Sequence, residues 1–351
     1  MQNDPRLNLV RHWLGETLKI PVTRLEPASA DASFRRYFRL WSGNEATRIV
    51  MDAPPDKEDL GAYLRVSALL EDCGVHVPHV HAADTDVGVA LLEDLGSTHM
   101  LTCLDRGDDP EALYGAALDE LASLQLRGED ASHRLPPYDQ EVLLREMRLM
   151  PEWFCSRHLR LELTDAEQQL LAATFEFLCA EALRQPLVFV HRDYHSRNLM
   201  VVPERSPGVI DFQDALRGPV AYDLASILKD CYIAWPRARV EAWVASYRER
   251  LIDDGPTGEK LAGEGTAAFL RDFDLVGLQR HLKVLGIFAR LFWRDGKSGY
   301  LGDLPRTLDY TLDTAARIPE LARFADFARQ RLAPALASAN AEALARDRGA
   351  A

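Results

Sequence analysis

The spacing of hydrophobic residues changes along the chain, from a short-period first part to a long helical second part. Residues 8–18 carry Leu9, Trp13 and Leu14 at helical spacing ahead of Pro21, which predicts an opening helix used for packing. Between residues 22 and 51 the period falls to that of strands: residues 34–40 alternate, Ser42-Gly43-Asn44 makes a hairpin turn, and residues 47–51 return. A helix over 57–72 brings Leu60, Tyr63, Leu64 and Leu70 near one face and ends at Gly74. Residues 80–83 and 87–92 then read as strands around Asp84-Thr85-Asp86.

Beyond Gly96 the pattern is almost entirely helical. Asp109-Pro110 opens a helix with Leu113, Ala117, Leu121 and Leu124 on one stripe. Leu143, Met147, Met150 and Phe154 form a second stripe, which Pro151 kinks or splits. Thr164-Asp165-Ala166-Glu167 is a capping box for a third helix, with Leu171, Phe175 and Leu178 inward, and residues 305–351 read as packing helices with an alanine-rich polar end. Such stripes are core more often than binding surface. Sheet first and helices after predict an α+β chain, with a small β-rich N-terminal lobe over residues 1–95 and a larger, mostly helical lobe over 96–351.

Candidate chemistry interrupts the helical part at one place. His191-Arg192-Asp193-Tyr194-His195-Ser196-Arg197-Asn198 follows the apolar run 187–190, and residues 199–202 resume the strand pattern, so acidic and amide groups fall on a loop between two short strands. The turn Ser206-Pro207-Gly208 lets a second strand run back beside the first and deliver Asp211 of Val209-Ile210-Asp211-Phe212-Gln213 to that loop. Phosphoryl transfer needs a carboxylate to orient and deprotonate the attacking hydroxyl, and oxygen ligands that hold Mg²⁺ against nucleotide phosphates. Asp193 suits the first task. Asn198 and Asp211 suit the second, because Mg²⁺ takes one or two protein oxygens and leaves its other positions to phosphates and water. An ordinary polar turn would explain either motif alone, but not both in this order, each behind an apolar strand.

His-Arg-Asp-x-x-x-x-Asn followed by two apolar residues and Asp-Phe resembles the catalytic and metal-binding loops of the protein kinase superfamily. That resemblance implies a two-lobed protein-kinase-like fold, ATP and Mg²⁺ as cofactors, and the linker Glu93-Asp94-Leu95-Gly96 binding adenine through its backbone. It also implies supporting roles for His191 and for Asp223, which would accept hydrogen bonds from the catalytic-loop backbone; a plain helix-N-terminal charge is the alternative for Asp223. Gln213 replaces the glycine of protein kinases, so no hinge-like switch is expected there. Asp211-Phe212-Gln213-Asp214-Ala215, Gly218-Pro219 and Tyr222-Asp223-Leu224-Ala225 resemble the aminoglycoside phosphotransferase and choline kinase branch, which phosphorylates small molecules. Met51-Asp52-Ala53-Pro54-Pro55, the 191–198 loop and the run from Gln279-Arg280-His281 to Ile287-Phe288 are similar to the bacterial anomeric kinases of N-acetylmuramate and N-acetylglucosamine, which act in cell-wall sugar recycling. The resemblance extends from about residue 29 to about residue 302. It implies a small-molecule amino sugar phosphorylated at its anomeric hydroxyl, and no obligate protein partner.

The chain departs from the kinase pattern in its first lobe. The loop Ser29-Ala30-Asp31-Ala32-Ser33 has no glycine, so approach to phosphate would rely on small residues and on the Ser29 and Ser33 hydroxyls. The expected strand lysine is replaced by Met51, and the helix that should present its glutamate partner offers Tyr63. Loss of both members together avoids an unpaired buried charge. Either Arg35 or Arg36 contacts the phosphates instead, or Mg²⁺ carries that load; arginines on a solvated strand face are the alternative. His195 and Asp230 are substrate candidates, and Tyr232 and Trp235 could line a sugar pocket or simply pack. Gln279, Lys283, Gly286, Arg290 and Arg294 follow one another at helical spacing, so the three cations form a stripe that usually marks a solvated face. Within it, Lys283 is the candidate for an anionic substrate group. Gly286 in mid-helix costs about 1 kcal/mol against alanine, which points to close approach by a neighbour or ligand.

Composition narrows the classes further. A net charge of -13 argues against a general nucleic-acid or anionic-membrane surface. Residues 1–19 mix charges with apolar residues and read as neither signal peptide nor membrane span, and five scattered cysteines without Cys-x-x-Cys suit reduced thiols in the cytoplasm. A kinase for a cationic aminoglycoside or choline would need clustered carboxylates or an aromatic cage. A non-catalytic nucleotide-binding regulator is the other class left open by the missing lysine, and a protein kinase is disfavoured because Gly218-Pro219 leads directly into the Asp223 helix.

Overall fold

A computed structural model describes residues 4–30, 34–43, 46–252 and 255–350. The strands among these are β1 (Arg24–Ala30), β2 (Arg36–Trp41), β3 (Arg48–Asp52), β4 (Val80–Asp84), β5 (Val89–Glu93), β6 (Leu187–Val190), β7 (Leu199–Met200), β8 (Gly208–Val209) and β9 (Leu216–Pro219). The chain forms two compact units, one of residues 1–128 with 197–215 and the other of 129–196 with 216–351.

The first unit is built on an antiparallel sheet in the order β1-β2-β3-β5-β4. Because successive strand residues face opposite sides, one face collects Phe38, Leu40, Val50, Val89 and Leu91, which bury against Val10, Trp13 and Leu14 of the opening segment. That segment is an α-helix, Pro5–His12, which widens into a π turn at Trp13–Thr17. It is also tied to the sheet by charge: buried Asp52 pairs with Arg6 and with Arg36, and Arg36 reaches Asp4. The opposite face carries Tyr37, Arg39, Ile49 and Leu92, which line a cavity. The helix expected over 57–72 begins later, at Leu60, because Asp59 caps it by accepting from the Ala62 amide at 3.0 Å. Gly43 takes φ 68° in the turn after β2, while Asn44 lies outside the described residues.

The second unit is mostly helical around the pair β6–β9. The sequence does not announce β9, since Arg217-Gly218-Pro219 has little strand propensity; it forms because Leu187–Val190 needs an antiparallel neighbour inside the unit. The capping box at Thr164 is formed on both sides. Around Pro151 the helix does not continue in α register but widens into a π stretch, Met150–His158. The helical run Gly255–Asp295 breaks at Gly265, where φ is 74°. At Gly286 an added Cβ would come 2.3 Å from the Leu149 carbonyl carbon, so the mid-helix glycine serves a backbone neighbour. Among the described residues, no helix is long and apolar enough to cross a membrane.

Candidate active site

In the first unit the short ladder β7–β8 pairs Leu199 with Val209 and Met200 with Gly208, and the Ile210 amide donates to the Asn198 carbonyl at 3.0 Å. This closes the loop so that the side chains of Asn198 and Asp211 meet, with Nδ2 to Oδ2 3.4 Å apart. Asp211 has φ 64°, a left-handed conformation that a non-glycine residue adopts at a cost and that recurs at functional sites. One carboxylate oxygen, Oδ1, accepts from two donors, Gln213 Nε2 at 2.9 Å and Arg35 Nη2 at 3.1 Å. Phe212, fully buried, packs on Tyr63 with ring centroids 4.8 Å apart. Thus Gln213, in the place of the usual glycine, braces Asp211.

Asp211 and Asn198 border a cavity of about 330 Å³, a size in the range of small-ligand pockets. Its other walls come from Tyr37 and Ile49 of the sheet, from Met200 and Ile210, and from Glu93-Asp94-Leu95-Gly96. The latter segment is clamped: Arg39 donates to Asp94 at 2.6 and 3.0 Å and to the Gly96 carbonyl at 2.9 Å, and Thr47 Oγ1 donates to Asp94 at 2.6 Å. Glu93 and Leu95 both line this cavity. Met51 is fully buried. Ser33 and the side chain of Ser29 lie outside the described residues. The two arginine candidates separate by strand parity: Arg36 goes to the opening helix and Asp52, and Arg35 goes to Asp211.

In the second unit the loop after β6 is pinned by buried carboxylates. Asp223 accepts from the amides of His191 at 2.6 Å and Arg192 at 2.9 Å. Asp230 accepts from the Ser196 amide at 3.0 Å and the Tyr232 amide at 3.1 Å, and from the Ser196 hydroxyl. Asp230 is thus a loop anchor whose oxygens are engaged, and Tyr232 packs edge-on against His195 at 5.4 Å. Trp235 packs on Trp243. His191 is fully buried, and its Nδ1 accepts from the Asp193 amide at 3.3 Å. Arg192 adopts φ 83°, so both chemistry-bearing loops hold a non-glycine residue in the left-handed region.

Charge around Asp193 comes both from its own loop and from two residues outside the motif, Lys283 and Arg280. Burial would raise its pKa, but Lys283, His195, Arg280 and Arg192 outweigh it and bring the carboxyl down to about 2. Lys283 is buried, which corrects the expectation of a solvated stripe at that position, and its Nζ lies 3.1 Å from Glu146 Oε1 and 3.3 Å from the Tyr222 hydroxyl. Glu146 also receives Arg192 and the Tyr138 hydroxyl. The missed residue, Glu146, left a readable signal: it sits between Leu143 and Met147 on the inward stripe of Gln140–Met147, a carboxylate at an apolar position.

Taken together, the Asp211 and Asn198 heads supply oxygen donors suited to a hard divalent cation, since the Asn198 amide can present its oxygen where its nitrogen now stands. Asp193 supplies a carboxylate that is ionised throughout the neutral range.

Comparison with known proteins identifies relatives of this chain. An N-acetylmuramate/N-acetylglucosamine kinase of Pseudomonas aeruginosa is 44% identical over 340 residues, covering 93% of this chain and 97% of that protein. A protein of the same name from Neisseria meningitidis is 43% identical over 316 residues, covering 89% and 92%. Among solved structures, the Plasmodium vivax ethanolamine kinase superposes with a TM-score of 0.61 at 14% identity, covering 92% of this chain and 91% of that one, a likeness that shows the protein-kinase-like fold. Residues 24–263 match the phosphotransferase enzyme family, and with most of its length inside that span this chain belongs to the family and is a phosphotransferase.

Proposed function

We propose that this enzyme transfers the γ-phosphoryl group of ATP to the anomeric hydroxyl of N-acetylmuramate or N-acetylglucosamine, giving the sugar 1-phosphate. The observation that carries the reading is the 44% identity, over 93% of the chain, to a kinase named for those two sugars. The cavity beside Glu93 and Leu95 is assigned to the nucleotide base, which makes residues 1–95 the core of the nucleotide-binding lobe. Asn198 and Asp211 would hold Mg²⁺, which when bound neutralises charge on the phosphates. The ATP requirement and five free, buried thiols suit a cytoplasmic enzyme.

Asp193 positions the sugar hydroxyl and takes its proton. With a pKa of about 2 it is a weak base, so the proton moves late, after bonding to the transferred phosphoryl has begun. An anomeric hydroxyl fits this demand better than an ordinary alcohol, because the ring oxygen withdraws electron density and makes it more acidic. His191, Asp223 and Asp230 keep the loop in place by the hydrogen bonds described above.

The test is the product. Incubation with Mg²⁺-ATP and either sugar should yield a phosphate ester that is acid-labile, leaving through an oxocarbenium-like transition state, and whose reducing end is blocked. An acid-stable, still-reducing sugar phosphate would overturn the anomeric assignment.

A further inference from the structure

We infer that Arg35, held in place by Glu58, is the nucleotide-phosphate-binding cation of this enzyme and replaces the ion pair that Met51 and Tyr63 no longer supply. The inference rests on the proposed use of a nucleotide and deepens it by naming the group that meets the polyphosphate.

Strand parity makes the choice between neighbouring arginines. Arg36 opens β2 on the face of the opening helix, where its guanidinium is engaged by Asp52 and Asp4. Arg35 precedes it by one residue and therefore turns to the other face, the one that lines the cavity. There it is only 8% exposed, with Nη2 3.1 Å from Asp211 Oδ1. A guanidinium that touches a carboxylate proposed to hold Mg²⁺ would be placed to meet the phosphates that accompany that metal, and its planar fork matches phosphate oxygens.

Glu58 acts as the partner. Its Oε1 accepts from the Phe34 amide at 3.0 Å, and its Oε2 lies 3.8 Å from Arg35 Nε. One carboxylate thus anchors the backbone just before Arg35 and lies within ion-pair range of its guanidinium. The arrangement restores a cation with an acidic partner, moved from the strand and helix interior to the segments that precede β2 and the Leu60–Asp72 helix. Meanwhile Tyr63 spends the vacated helix position on Phe212, next to Asp211.

The experiment is a ladder of ligands, measured by calorimetry with and without Mg²⁺ on the intact enzyme: ATP, ADP, AMP and adenosine, for wild type, Arg35→Met, Arg35→Lys and Glu58→Gln. Arg35→Met should weaken ATP and ADP about tenfold or more while leaving adenosine unchanged, because only the polyphosphate loses a charge-assisted contact. Arg35→Lys should retain part of that affinity, and Glu58→Gln should weaken ATP several-fold, again without touching adenosine. Equal losses for ATP and adenosine, or undiminished ATP affinity in Arg35→Met, would overturn the assignment while leaving the kinase reading intact. A wild-type enzyme that binds none of the four would overturn the nucleotide reading itself. Should Arg35→Met fail to fold, Arg35→Lys and Glu58→Gln decide the question by the same ATP-to-adenosine ratio.

Discussion

Lys283 and Glu146 form an ion pair at 3.1 Å with both side chains buried, and Glu146 also pairs with Arg192 of the loop after β6. Burial works against the charge of each, yet each holds the other ionised: Lys283 lowers the Glu146 pKa and Glu146 raises that of Lys283. Breaking such a pair from one side leaves an uncompensated charge and costs about 3–5 kcal/mol. Glu146→Gln is therefore expected to lower the urea midpoint clearly, since both Lys283 and Arg192 lose their partner. A midpoint within experimental error of wild type would mean that the pair is relaxed by solvent.

The same pairing sets the expected behaviour of Lys283 toward substrates. With its amine engaged by Glu146 and acting on Asp193, Lys283→Met should reduce turnover of N-acetylmuramate and N-acetylglucosamine alike, within about twofold of each other, because the lost interaction is with the enzyme's own carboxylates. Selective loss of the carboxylate-bearing sugar, measured as kcat/KM on both, would instead make Lys283 a direct substrate contact.

Separate roles for the two loop aspartates give separable defects. Asp193→Asn should keep Mg²⁺-ATP binding while cutting turnover by roughly 10²-fold or more, the scale for a positioned base. Asp211→Ala removes the proposed metal ligand and the acceptor of Arg35 and Gln213, so Mg²⁺-dependent nucleotide binding should go with it. Calorimetry that finds Mg²⁺-ATP affinity intact in Asp211→Ala would remove that residue from the metal site.

Short-range features of this site were legible in the sequence, because a loop motif fixes its own residues: Asp193, Asn198 and Asp211 stand on the turns their flanking strands predict. Strand alternation also carried the separation of Arg35 from Arg36, once it was known which face lines the cavity. Long-range pairing was not legible. Helical spacing put Lys283 on a stripe with Arg290 and Arg294, but of the three only Lys283 is buried, and its burial depends on Glu146 and Tyr222, which come from distant segments. β9 escaped for a related reason, since its partner β6, rather than its own propensity, makes it a strand.

Stability should depend on pH through His281, outside the site. Its ring stacks on Tyr310 at 4.8 Å and Nε2 lies 2.9 Å from the Lys229 carbonyl, while burial, with Lys229 and Arg280 adding to it, pushes its pKa down to about 3. Between about 3 and the unfolded value of about 6.5 the unfolded chain binds the proton and the folded one does not, so stability is full above pH 6.5 and is lost as pH falls toward 3. His281→Gln, which keeps a donor for the carbonyl, should flatten the decline in urea midpoint between pH 6.5 and pH 4. An equally steep decline in the variant would assign it to other groups.

Restoring the lysine that the strand lacks should not improve the enzyme. Met51 is fully buried on β3, paired with Tyr37 on one side and Ala90 on the other, and Tyr63, which takes the place of the expected glutamate, has its ring committed to Phe212. A lysine introduced there has no carboxylate from the helix to meet it, so its charge is desolvated alone or competes with Arg35 for Asp211. Met51→Lys is expected to lower stability by a few kcal/mol and to leave kcat/KM for ATP at or below the wild-type value. Adding Tyr63→Glu supplies the partner but removes the packing on Phe212 that holds the segment carrying Asp211, so the double variant should recover stability without recovering activity. A large gain in turnover from Met51→Lys alone would show that this site is a kinase site missing a part, rather than one that solves the phosphate problem with Arg35.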